Sequence, residues 1–566
     1  MEQLHIEDKP FKIERPTVAI ILGSIALVTL LRCHSLHEPL ETDEAIFSVL
    51  AHDWLNGGKP YATVWDNKPI GAFWLYRIAI ACFGYVEAAP KLMALVFMAA
   101  ATACLALLLP KRPAWQALAL LGMWPAFACF PATYANGANL EVFMLPLLLA
   151  AMAAMYRYRA DNCFGWFVGA AVLLSLAALV KQVALPYFIA IVLLPTPPAN
   201  GAPRHAHPAR DYLLSILRRG LVAGAILFGL HVAAYALAGC DPLIFLAQYA
   251  QNAGYTTTDT YGTDNLVLRL LQAFAWTPFG RPVYALWLLG LMAYAGTWIC
   301  WQRRADPLPA TFLAATVLAI ALPGKEFPHY YNLYLPFLLI GVVHSLAAMP
   351  RPRQTPRHYV WLAAILLGVW VTAGLTVWIR DEGLPYATLF VLPLLIAGTV
   401  YGCRHLATRG RLGGPRTALV CGIVITAGLW FGTYTGYLRH APEKLSYQKY
   451  RSNMFNRDRD IGRRLVALGF SGQRCWVDGS HTSIYFYAGV QPATPYLVSW
   501  AYDAFGATTW AAEFERLQTA PPTVCVLQYS PPPALQQWLA AEYNHLERYR
   551  AANIYRKKPV SAKDGQ

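Results

Sequence analysis

Residues 41–50 read ETDEAIFSVL, so Glu41, Asp43 and Glu44 stand just beyond the first apolar stretch of the chain, where carboxylates are costly to bury. Similar groups recur at other apolar borders. Asp66 and Lys68 lie in VWDNKPIGAFWLY, Asn139 and Glu141 in YANGANLE, Lys181 and Gln182 interrupt an apolar run, and GKEFPHYYNLYLP carries Lys325, Glu326, His329, Tyr330 and Tyr331. Lysines of this kind can meet a phosphate as point charges. A carboxylate shielded from water has a raised pKa and becomes a better base toward a hydroxyl. Together these residue types suit chemistry on a phosphate-bearing lipid. Each also has a plainer role. The acids suit solvated helix starts, the lysines suit anchors that reach to the membrane interface, and His329 with its tyrosines suits an interfacial aromatic belt.

The elements that must position these groups are membrane spans. The chain has 566 residues, 57% hydrophobic and 14% charged, with mean hydropathy +0.36, too apolar for a soluble domain. Fourteen apolar segments qualify: 16–34, 69–84, 91–110, 114–131, 140–157, 164–181, 182–196, 219–239, 281–301, 308–323, 329–349, 359–379, 384–402 and 417–436. Basic loops mark the cytoplasmic side: the lead to Arg15, then 110–113, 156–159, 204–219, 301–304, 351–358 and 404–416. All seven fall on one side only if 69–84 does not cross. That segment is short, starts at Pro69 and carries Arg77 mid-way, which suits a helix lying at the interface. Thirteen spans result, with the N-terminus cytoplasmic, 35–90 a large external loop and the tail outside. The listed acids and lysines then share one rim of the bilayer.

From 437 on the composition changes. RCWVDGS, HTSIYFYAG and TVCVLQYS are short β-branched runs alternating with helical stretches such as 499–516 and 533–546, which predicts a small extracytoplasmic α/β domain over 437–566 beside a membrane domain over 1–436. The net charge of +15 reads as topology, and no basic run interleaved with aromatics suggests nucleic acid. The 11 cysteines show no metal or disulfide spacing. TVAIILGSIALVTLL is followed by RCHSLHEPL without a small-residue cleavage site, so it reads as an uncleaved first span.

The stretches TDEAIFSVLAHDWLNGGKPYATVWDNKPIGAFWLY, ANLEVFMLPLLLA and GKEFPHYYNLYLP, with the tail, resemble the polyprenyl-phosphate-dependent glycosyltransferases of the GT-C fold, over nearly the whole chain. Lipid A aminoarabinose transferases and the dolichyl-phosphate-mannose protein mannosyltransferase type are the most similar groups. The resemblance implies a mostly helical polytopic fold and an inverting sugar transfer from a polyprenyl phosphate, on the periplasmic face of the inner membrane, to a lipid, glycan or protein acceptor. It implies Asp43 as general base supported by Glu44, Lys68 at the donor phosphate, and Tyr61, His329 and Tyr330 lining the same cavity. The family's acidic position falls on Glu141 or on Asn139. The arginine that aminoarabinose transferases carry just after the acidic pair is missing, since Ala45, Ile46 and Phe47 follow. Some relatives on this fold use a divalent metal, for which Asp43, Glu141 and Glu326 supply oxygen ligands, although no spacing demands one.

Two other classes compete. A transporter or flippase of a lipid-linked sugar would place ionisable groups near mid-membrane and show related halves; here they gather at one edge and no repeat is visible. A scaffold working through its tail would make the Lys68–Pro69 loop incidental.

Overall fold

A computed structural model describes residues 15–129, 133–194, 208–257, 269–270, 308–323, 327–347, 422–423, 426–427, 430, 433–450, 452–503 and 507–559. In chain order, α1 (Arg15–Cys33) leads to α2 (Thr42–Leu55), α3 (Ile70–Phe83) and α4 (Ala88–Leu108). A short α5 (Pro113–Ala117) continues through a π-turn at Leu118–Met123 into α6 (Trp124–Ala128). Then come α7 (Leu140–Asp161), α8 (Phe164–Val180), a 3-10 turn at Gln182–Ala184, α9 (Pro186–Leu193), α10 (Pro208–Leu237) and α11 (Ile244–Thr257). After α12 (Leu308–Ala321), a 3-10 turn at Pro328–Leu333 opens α13 (Tyr334–Ala347).

Among the described residues, α1, α4, α7 and α10 are long and apolar enough to cross a membrane by length and composition. The 14 residues of α3 rise only about 21 Å at roughly 1.5 Å per residue, short of the ~30 Å hydrocarbon core. The loop expected over 35–90 is largely helical, because α2 and α3 bury apolar faces against each other and α4. The basic loop expected at 204–219 is helical from Pro208 on. Its two last arginines are held at the helix border, Arg218 over the Phe164 ring and Arg219 donating to the Leu194 carbonyl at 2.7 Å. The expected spans 281–301, 359–379, 384–402 and most of 417–436 lie outside the described residues.

The tail starts with a π-turn at Tyr434–Leu438, then α14 (Pro442–Tyr450) and α15 (Met454–Ala467). Next come β1 (Arg474–Val477), α16 (Ser483–Ala488), β2 (Gln491–Pro492), α17 (Trp500–Asp503) and α18 (Trp510–Thr519). β3 (Val524–Leu527), α19 (Pro533–Glu542), β4 (Tyr543–Tyr549) and β5 (Ala552–Lys557) complete it. The sheet order is β2-β1-β3-β5-β4, parallel from β2 to β3 and antiparallel beyond. β3 is buried along its whole length, as a central strand covered on both faces must be.

Three local expectations fail here, one being the helix expected over 499–516, which is divided into α17 and α18 with 507–509 non-helical. HTSIYFYAG forms α16, whose residues are almost all buried; a helix covered all round reads like a short strand, and Gly489 at φ +59° ends it in the left-handed conformation that glycine favours. The helix expected over 533–546 ends at Glu542, and Tyr543 begins a strand.

The tail is bound to α2 and its flanks. Thr482 Oγ1 donates to the Thr42 carbonyl and Ser483 Oγ to that of Leu40, both at 3.0 Å, while the Leu40 N–H donates to Tyr487 Oη. Further along, the Trp65 N–H donates to the Pro495 carbonyl at 2.9 Å.

Candidate active site

Glu41 caps the start of α2, and Asp43 and Glu44 occupy its first turn. The Glu41 side chain meets the Glu44 N–H and the Glu44 side chain meets the Glu41 N–H, the reciprocal arrangement that satisfies two free donors of a helix start. Glu44, buried, spends its other oxygen accepting the Ala138 N–H at 2.6 Å. Glu44 therefore ties the start of α2 to the 134–139 loop. Burial, then Asp43 and Glu44, hold the Glu41 carboxyl well above the ordinary range. Asp43 stays half-buried, and its charge acts on Lys68, Asp66 and His329 from the same space.

The Asp66–Lys68 segment is locked from behind. The Lys68 N–H donates to Asp66 Oδ1 at 2.9 Å, and the Lys68 ammonium lies 3.9 Å from that same oxygen and donates to Asn67 Oδ1 at 2.8 Å. Asn67 is clamped by Asn252 of α11 through two hydrogen bonds, of 2.6 and 2.9 Å. Tyr61 donates to the Lys68 carbonyl at 3.0 Å while its ring stacks on Tyr235 of α10. Tyr61 thus braces Lys68. It does so at φ +67°, a left-handed conformation costly for a tyrosine. Burial pushes the Asp66 carboxyl up to about 6, although Lys68 pulls the other way. Burial works against the Lys68 charge, but Asp66 and Asp43 outweigh it and hold its pKa above the ordinary value.

A second ion pair stands at the far wall. Lys181, where α8 ends, donates to Glu141 Oε1 on the first turn of α7 at 2.6 Å, both groups being buried. His329 Nε2 lies 4.0 Å from the same oxygen. The Lys181 ammonium sits 4.1 Å from the centre of the Tyr330 ring, and Tyr330 meets His329 edge-on at 4.9 Å. The Lys181 charge also acts on both Lys68 and His329. Asn139 is the residue before α7, and it is Glu141 that reaches Lys181. Lys325 and Glu326 lie outside the described residues.

A second buried cluster stands beside this one, without a pattern in the sequence that marks it. Lys449 of α14 pairs with Glu38 at 2.7 Å and donates to Asn136, which itself donates to Glu38 at 2.7 Å. Tyr134, at φ +57°, donates to the Lys449 carbonyl and lies 6.4 Å from the His329 ring. Trp500, from the tail, places its ring 5.9 Å from the Lys68 ammonium.

Of the acids considered as ligands for a divalent metal, Asp43 and Glu141 are described and Glu326 lies outside the described residues. Among the described residues no three His, Cys, Asp or Glu side chains come together as metal ligands, and Glu141 is met by Lys181 instead. No step below is routed through a metal.

The chain superposes on two crystal structures of ArnT from Cupriavidus metallidurans. The one bound to undecaprenyl phosphate gives TM-score 0.57 at 15% identity, over 96% of this chain and 98% of that one. The apo state gives 0.53 at 14% identity, over 95% and 97%. The protein has the polytopic membrane fold of the GT-C class, with a strand-containing C-terminal region. Within it, residues 67–205 match the family model described as dolichyl-phosphate-mannose-protein mannosyltransferase, a stretch that holds Lys68, Glu141 and Lys181. No curated protein sequence matches the chain.

Proposed function

We propose that this protein is an integral-membrane glycosyltransferase that moves a sugar, with inversion, from a polyprenyl-phosphate donor to a hydroxyl or amine of a lipid, glycan or protein acceptor on the extracytoplasmic side. The observation that carries the reading is the convergence of two lysines and a half-buried carboxylate, from α2, the Asp66–Lys68 segment and the α8 border, beside a buried Glu141–Lys181 pair. The ArnT structure of the same fold holds undecaprenyl phosphate, which supports a lipid-phosphate carrier for this chain too.

In the reaction the acceptor heteroatom attacks the anomeric carbon from the face opposite the phosphate, and Asp43 takes its proton. The bond from the anomeric carbon to the phosphate oxygen breaks, and the polyprenyl phosphate leaves with the electron pair. Lys68 stabilises the charge that develops on that oxygen. Lys181, steadied by Glu141, adds a second positive wall, and His329 with Tyr330 fixes its direction. Because Asn252, Tyr61 and Asp66 hold Lys68 before substrate arrives, little reorganisation remains for the reaction itself.

Purified protein in liposomes, given radiolabelled polyprenyl-phosphate sugars and envelope extract, tests the reading. Transfer to an extractable acceptor is expected, and Asp43→Asn should lower it at least about 100-fold while donor binding persists. Full activity in Asp43→Asn removes that residue from the mechanism. Movement of the labelled lipid across the bilayer without a new glycosidic bond would make the protein a flippase.

A further inference from the structure

Lys68 is flanked by two aromatic rings, each 5.9 Å from its ammonium, and they differ in origin and exposure. Phe47 belongs to α2 and is fully buried against Phe73 and Tyr76, so its faces are taken. Trp500 comes from the tail and is partly exposed. It is backed by Trp65 at 6.4 Å, which in turn packs on Tyr496, and the Trp65 N–H is tied to the Pro495 carbonyl. The segment carrying Trp500 is therefore anchored beside the Asp66–Lys68 segment, with its indole beside the ammonium.

We infer that Trp500 is a platform for the donor's sugar ring, so that the tail completes the donor site and reads the sugar, while Lys68 reads the phosphate. The inference rests on the proposed sugar transfer. A phosphate held with one oxygen about 2.8 Å from the Lys68 ammonium carries the sugar two bonds beyond the phosphorus, through the glycosidic oxygen, a few ångströms from Lys68 and within the range of the indole, whose ring centre stands 5.9 Å from that ammonium. A pyranose or furanose presents C–H bonds on one face, and the electron-rich face of an indole favours such positively polarised hydrogens. Tryptophan offers the largest rigid face for this at little conformational cost. Tail residues also touch the backbone on both sides of the site, at Thr42 next to Asp43 and at Trp65 next to Asp66, so the platform is registered against the base and the phosphate anchor together.

The test measures binding to the full-length protein in nanodiscs of two kinds of lipid: undecaprenyl monophosphate, and undecaprenyl phosphate carrying mannose, glucose or 4-amino-4-deoxyarabinose. Wild type should prefer at least one sugar-bearing lipid over the bare phosphate. Trp500→Ala should weaken that lipid about tenfold and leave the bare phosphate within about twofold. Trp500→Phe should restore most of the loss and Trp500→Leu, which keeps apolar bulk without a π-face, should not. Lys68→Ala should weaken both kinds of lipid. Equal losses for both lipids in Trp500→Ala, or full recovery by Trp500→Leu, overturns the platform and leaves a packing role. A wild type that binds neither kind of lipid overturns the transfer reading itself, and the platform with it.

Discussion

At the level of single residues, burial and neighbouring charges compete over the ionisable groups around Lys68. Asp66 is the clearest case, since its carboxyl ionises only near 6 in the folded protein against 3.8 when free. A raised carboxyl contributes stability that is fully present below 3.8 and is lost as pH climbs through about 6. The thermal midpoint of the wild type should therefore fall across that window relative to Asp66→Asn, measured by intrinsic fluorescence. Donor affinity should strengthen on the acid side of 6, where Lys68 loses a competing anion, and Asp66→Asn should hold that higher affinity at every pH. Unchanged pH profiles between the two proteins would remove Asp66 from the control of Lys68. The ionisable groups at apolar borders, Asp43, Lys68, Glu141 and Lys181, were legible in the sequence because a charge at a membrane edge needs a reason. Asn67, Asn252 and Trp500 were not, since an amide or an indole is common, and only the folded chain sets Asn67 and Trp500 beside Lys68 and Asn252 behind Asn67.

At the level of elements, α3 and α8 approach through a glycine. A Cβ at Gly71 would lie 2.5 Å from the Leu179 carbonyl oxygen and 2.7 Å from its carbon, both backbone atoms that cannot swing aside. Gly71→Ala should push α3 off α8, costing about 1–3 kcal/mol, and widen the gap between Lys68 before α3 and Lys181 after α8. A lower thermal midpoint with reduced kcat/KM is expected; an unchanged midpoint would mean the helices relax freely. α11 acts on the same lysine through Asn252. Asn252→Ala frees Asn67, and should raise the donor KM several-fold while kcat changes less, since the base on α2 is untouched. The shortness of 69–84 and its opening proline were readable in the sequence, and the structure has the 14-residue α3 there. That 35–90 would be mostly helix was not readable, because α2 has little amphipathic contrast and is covered on nearly every side.

At the level of the whole molecule, the tail is joined to the membrane domain through a buried ion pair. Lys449 and Glu38 meet at 2.7 Å, each almost wholly excluded from solvent. Removing one partner strands the other, so Lys449→Met and Glu38→Gln should each destabilise the protein by about 3–5 kcal/mol. The double variant Lys449→Met with Glu38→Leu should lose much less than the sum, and strict additivity in chemical denaturation would mean the pair is not coupled. The α/β character of the tail was readable from its short apolar runs, whereas its seat on α2 rests on hydroxyls and backbone groups that carry no pattern. That seat also sets an order of events in biosynthesis. Leu40, Thr42 and Trp65, which bracket the two ends of the site, find hydrogen-bond partners in residues 482–495. A nascent chain thus threads most of its helices into the bilayer before its earliest acidic turn is held in register, and competence arrives late, as translation nears its close.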